Sequence, residues 1–122
     1  MKKAALILTL AVFFSCKKES TESFGKAPSK TPVNLGKELF EGKGNCVTCH
    51  LPAQKVIGPS IQDIAKTYQA QKASIIRFLK DDAQPIVDPT QYDVMKTNFP
   101  ITKMMSDEEL QAIEAYVYSN LK

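Results

Sequence analysis

GNCVTCH, residues 44–50, decides how the rest of this chain is read. Two cysteines separated by two residues and followed directly by a histidine can hold a zinc ion, form a redox-active disulfide or anchor a haem covalently. Each reading makes demands on the surrounding sequence. A structural zinc site needs about four ligands, commonly two pairs of cysteine or histidine. His50 is the only histidine in the chain and the third cysteine, Cys16, has another explanation, so no fourth soft ligand remains. A thioredoxin-like disulfide expects a strand before the motif, a helix after it and a βαβ context. Here the residues ahead of Cys46 have helical spacing, and no run in the domain alternates as a strand does. A covalent haem asks only for what is present: thioethers from Cys46 and Cys49 to the haem vinyl groups, and His50 below the iron as the proximal axial ligand.

Toward the N-terminus, Met1-Lys2-Lys3 is a short basic start, and Ala4 to Phe14 is apolar apart from Thr9. The run suits a signal h-region and falls short of the ~20 residues a membrane-spanning helix needs. Ser15-Cys16 follows, and the ending resembles a bacterial lipoprotein signal, with Phe13 where leucine is more common. On that reading residues 1–15 are a lipoprotein-type signal peptide and Cys16 is the lipidated mature N-terminus. The alternative is an ordinary cleaved signal with a free cysteine nearby. KKESTESFGKAPSKTP, residues 17–32, has too little apolar surface to fold and reads as a flexible tether. Residues 16–32 are therefore lipidated cysteine plus tether, and 33–122 a folded domain. The expected location is the periplasmic side of a bacterial membrane, held there by lipid. Haem attachment outside the cytoplasm agrees with export.

The whole chain has 122 residues, enough for one small domain. A domain this small buries a modest share of its surface, so a cofactor filling its interior contributes heavily to stability. Its formal net charge is +3, with Lys2 and Lys3 in the expected leader, and no Lys/Arg cluster is interleaved with aromatics. Nucleic acid is therefore not an expected partner.

Around the motif the pattern is helical throughout. Thr31 with Pro32 behind it, or Asn34, caps a first helix that carries Leu35, Leu39 and Phe40 and ends at Gly42 and Gly44. Ile61, Ile64, Ala65 and Tyr68 share one face of a second helix, and Ile75, Ile76 and Leu79 one face of a third. Ser106 with Glu109 three residues on forms a capping box, after which Leu110, Ile113, Val117 and Leu121 run down one stripe. These stripes read as core packing, and the fold class as all-α.

From about Asn34 to Lys122 these features resemble class I cytochrome c. The landmarks are an N-terminal helix, CVTCH, IGPS at residues 57–60, and a methionine before a C-terminal helix. The resemblance implies a small fold of about four helices wrapped around one covalent haem c. It implies that Gly36 and Phe40 of the first helix pack against Ile113 and Tyr116 of the last. It also implies that the carbonyl of Pro59 accepts the ring N–H of His50, fixing the imidazole. The distal ligand follows from the methionines outside the leader: Met95, Met104 and Met105. Thioether sulfur is soft and suits low-spin haem iron. Met104 and Met105 directly precede the Ser106 cap, leaving little chain to cross a haem face. Met95 lies in PTQYDVMKTNFP, residues 89–100, read as a loop, where the family places its methionine, although Lys96 stands where bacterial relatives often have proline. Met95 is the expected ligand, with Met104 and Met105 the alternatives.

With both axial positions filled by protein, iron has no open site for a substrate, and no paired acid–base constellation accompanies it. The expectation is a monomeric one-electron carrier rather than an enzyme, exchanging electrons with redox partners such as a membrane oxidase or reductase. The alternative is a haem-based small-ligand sensor or binding protein with a labile distal ligand. Tyr68 and Tyr92 could reach haem propionates or simply fill the core, and Lys96 and Lys103 could steer a partner or simply be solvated.

Overall fold

The structure is a computed structural model that describes residues 30–122. The expected signal peptide, the lipidation at Cys16 and residues 17–29 of the tether lie outside the described residues.

Helix α1 runs Pro32–Glu41. Of the two capping residues the sequence offered, Thr31 takes the role, its side chain accepting the Asn34 N–H at 3.3 Å. Proline in the first turn loses no hydrogen bond, because its missing donor would have had no partner there. At the other end the Gly42 and Gly44 amides donate to the carbonyls of Glu38 and Leu39 at 2.8 and 2.7 Å, closing the helix. A single 3₁₀ turn, Cys46–Thr48, follows, entered through Asn45 in the left-handed region at φ 50°. Helix α2, Ile61–Gln71, is capped by Ser60, and α3, Ile75–Leu79, by Ser74.

The segment after α3 departs from the expected loop. Pro89–Gln91 and Lys96–Asn98 are 3₁₀ turns, and between and after them lie two one-turn helices, α4 (Tyr92–Met95) and α5 (Phe99–Thr102). The physical reason is a helical period that two prolines disguise. Tyr92, Met95, Phe99 and Thr102 recur at intervals of three and four, and the last two are buried. Pro89 and Pro100 each sit in a first turn, where they are tolerated. The four expected helices are thus joined by two more, and among the described residues no strand forms, only an isolated bridge between His50 and Lys55.

Helix α6, Asp107–Tyr118, packs across α1, and Gly36 sets their spacing. A Cβ at Gly36 would lie 1.8 Å from the carbonyl oxygen of Ala112 and 2.8 Å from Cβ of Tyr116. Beside that crossing the Phe40 and Tyr116 rings meet edge to face, centroids 5.3 Å apart. The buried residues of α1, α2, α3 and α6 then form one core. Thr102, wholly buried, donates its hydroxyl to the Leu79 carbonyl at 2.6 Å, which fastens α5 to the end of α3.

The capping box of α6 is complete: the Ser106 hydroxyl accepts the Glu109 N–H at 3.2 Å, and the Glu109 carboxylate accepts the Ser106 N–H at 2.9 Å. Lys43, just beyond α1, also donates to that carboxylate at 2.7 Å, so the cap ties the two crossing helices. The ammonium of Lys43 holds the Glu109 carboxyl below its usual range. Ser106→Ala is expected to cost about 1 kcal/mol of stability in urea unfolding with the slope unchanged. No measurable loss would show that the box contributes nothing.

Candidate functional site

The 3₁₀ turn presents the two cysteines and the histidine together. The amides of Cys49 and His50 both donate to the Cys46 carbonyl, at 3.1 and 3.0 Å. Cys46 is buried, Cys49 is half-buried, and neither is in a disulfide. Burial pushes the Cys46 thiol up to about 11, so it stays protonated at neutral pH. A buried protonated thiol is a poor nucleophile, the opposite of what thiol–disulfide exchange requires.

His50 is buried, and Nδ1 lies 2.8 Å from the carbonyl oxygen of Pro59. A carbonyl can only accept, so Nδ1 carries the proton and Nε2 keeps its lone pair. Burial also lowers the basicity of the ring, which favours the neutral imidazole a metal requires. Gly58 completes this seat. A Cβ there would come within 2.4 Å of Cε1 and 2.8 Å of Nδ1 of His50. The Gly58 amide donates to the Cys49 carbonyl at 3.0 Å, folding residues 51–58 back over the ring.

The imidazole, both cysteines and Met95 line one cavity of about 330 Å³, within the range of small-molecule and cofactor sites. Its wall is mostly apolar, built from Phe40 of α1, Ile64 and Tyr68 of α2, Leu79 of α3 and Val117 of α6. Of the three candidate methionines, Met95 lines the cavity, Met104 is 83% exposed and Met105 is packed in the core. Two polar ties hold the Met95 segment to the cysteine half. The Asn98 amide donates to the Gly44 carbonyl at 2.9 Å, and Lys55 donates to Asp88 at 2.7 Å. Among the described residues no group of three or more His, Cys, Asp or Glu is placed to hold a metal ion.

The donor set suits a haem: two thiols on one turn, a neutral imidazole with a free lone pair, a thioether on a separate segment and an apolar enclosure. A family model described as Cytochrome c matches residues 33–120. The chain belongs to the cytochrome c family. Cytochrome c-551 of Pseudomonas aeruginosa is similar to it, 31% identical over 84 residues that cover 66% of this chain and 72% of that protein. Cytochrome c-551 of Pseudomonas denitrificans is 47% identical over 38 residues, 31% of this chain and 45% of that protein. As a cytochrome c of class I, the chain carries a covalently bound c-type haem with its iron.

Three features of the cytochrome c site escape a reading of the sequence. Gly58 belongs to IGPS, a recognisable landmark, yet only folding shows that its hydrogen faces the imidazole. The Asn98–Gly44 and Lys55–Asp88 ties join residues far apart in sequence, and no local pattern announces them. Lys96 and Lys103, read as possible steering charges, are paired with Asp93 and Asp81 at 2.7 and 3.2 Å.

Proposed function

We propose that this cytochrome c is a one-electron carrier whose haem is attached through Cys46 and Cys49 and ligated by His50 and Met95. The bound haem supplies an Fe(III)/Fe(II) couple. The observation that carries the reading is the single cavity lined by a proton-fixed imidazole and by one methionine, Met95. The Pro59 carbonyl orients His50, and a firmly held ring minimises rearrangement when charge changes. The apolar wall excludes water from the site and so helps set its potential. Two ligands from the protein leave no position for a substrate, which favours electron exchange over catalysis. The two named relatives, both cytochromes c-551, point the same way.

Location and partners rest on sequence alone. A basic, apolar leader ending at Cys16 supports a carrier exported and lipid-anchored on the periplasmic side. Tethering would raise its effective concentration near membrane partners such as an oxidase or reductase. Among the described residues no helix is long and apolar enough to cross a membrane.

The test is to produce the full chain with haem-attachment machinery and record mass, spectrum and carbon monoxide binding. The expected protein gains the mass of one haem, titrates reversibly by one electron and does not bind carbon monoxide rapidly at neutral pH. Met95→Ala is expected to abolish the weak long-wavelength sulfur-to-iron band and to open the iron to carbon monoxide. Loss of the band only on Met104→Ala or Met105→Ala would reassign the ligand. Rapid carbon monoxide binding by the unaltered protein would favour a small-ligand sensor instead.

A further inference from the structure

Met95 rides on a lightly held stretch of chain. From Pro89 to Asn98 no residue is buried, and the main backbone neighbours of α4 are the two 3₁₀ turns that flank it. Its side chains touch the rest of the domain through Tyr92, which meets Phe78 and Phe99, and through Met95 at the edge of the core. A segment with so little buried apolar surface opens locally at small cost, so its ties decide how often it opens.

Among the described residues, three side-chain hydrogen bonds fasten residues 88–98 to the rest: Lys55 to Asp88 at 2.7 Å, Tyr92 to Asp81 at 3.2 Å and Asn98 to Gly44 at 2.9 Å. Only the first joins two charges, and only the first reaches the loop that seats His50. Lys55 pairs with His50 itself in the isolated antiparallel bridge. Residues 57–59 and 85–88, on the two sides of the ion pair, both line the cavity. The pair is unequal: the Lys55 side chain is 60% exposed and that of Asp88 only 15%. A fully exposed ion pair contributes little, but a carboxylate enclosed this far depends on its donors. Without Lys55 it keeps only the Thr90 hydroxyl. Turning it toward water moves the start of the segment that carries Met95.

We propose that Lys55 and Asp88 are positioning residues for the iron: their ion pair holds the Met95 segment against the histidine loop and sets how readily Met95 leaves. Release of Met95 then runs through parting of this pair, with the four core helices still packed. The inference rests on Met95 as the second axial ligand, as the proposed function requires.

The experiment follows imidazole binding to the Fe(III) holoprotein at saturating imidazole, where departure of Met95 limits the rate, alongside urea unfolding. Lys55→Met keeps the stem and removes the charge, Asp88→Asn keeps the shape, and Lys37→Met breaks an exposed pair with Glu41 on α1. Lys55→Met and Asp88→Asn are each expected to bind imidazole roughly tenfold faster, the size of one lost hydrogen bond to a charged group. Lys55→Arg should restore the slow rate, and the double variant Lys55→Met/Asp88→Asn should be no faster than either single one. Lys37→Met should leave the rate alone, and the urea midpoint of Lys55→Met should match that of Lys37→Met. An unchanged rate in Lys55→Met overturns the proposal and leaves the electron-carrier reading intact, as does an equal acceleration in Lys37→Met. A tenfold acceleration matched by a tenfold change in the global unfolding constant overturns it too, because release would then be unfolding. Absence of the sulfur-to-iron band from the unaltered protein overturns both the ligation by Met95 and this inference.

Discussion

Gly36→Val is expected to destabilise the domain by about 3 kcal/mol, the upper part of the usual range for overpacking. The reason is that the obstructing atom belongs to a main chain. Even the Cβ of the new residue would lie 1.8 Å from the Ala112 carbonyl oxygen and 2.5 Å from its carbon, so no rotamer change relieves the clash. The helices must move apart, which would also separate Phe40 from Tyr116 and weaken the Lys43–Glu109 pair. A loss of this size corresponds to a fall in Tm on the order of 15 °C for a domain of this length. Calorimetry of the holoprotein measures it directly. A fall of only a few degrees would mean that the crossing tolerates separation and that Gly36 does not set it.

Gly58→Ala is expected to act on the iron rather than on the fold. The added methyl carbon would meet three atoms of the His50 ring, at 2.4, 2.8 and 3.1 Å, all inside ordinary contact distance. Because Gly58 is anchored by its amide to the Cys49 carbonyl, the imidazole is the part that yields. Its displacement would break the 2.8 Å bond to the Pro59 carbonyl and spoil the aim of Nε2. The cysteines are untouched, so covalent haem content should be unchanged. The visible spectrum should shift from low-spin to high-spin character, with carbon monoxide binding at the vacated position. A normal low-spin spectrum would show that the loop, not the ring, gives way.

The sequence announced what is encoded within a few residues. CVTCH, the Ser106–Glu109 box and the cap at Thr31 are short patterns whose chemistry is complete in themselves. The Gly36–Phe40 pairing with the last helix was legible because the family resemblance supplied the partner. The structure adds that Ala112 meets Gly36 while Ile113 turns to the cavity. The expected loop at residues 89–100 forms short helical turns instead, a period hidden in the sequence because Pro89 and Pro100 punctuate it and Thr102, just beyond, interrupts an otherwise apolar stripe. Thr102 is buried only because Leu79 offers a carbonyl, a fact of three dimensions. The distinction among the methionines was similarly hidden, since Met104 and Met105 are neighbours in sequence yet one faces solvent and the other the core.

The crossing of α1 and α6 also sets an order of events. Gly36 and Ala112 come from distant parts of the chain, so the contact waits until the whole stretch between them has been delivered. Until then the cavity beside the turn that bears Cys46 and Cys49 lacks the wall that Ile113 and Val117 of α6 supply.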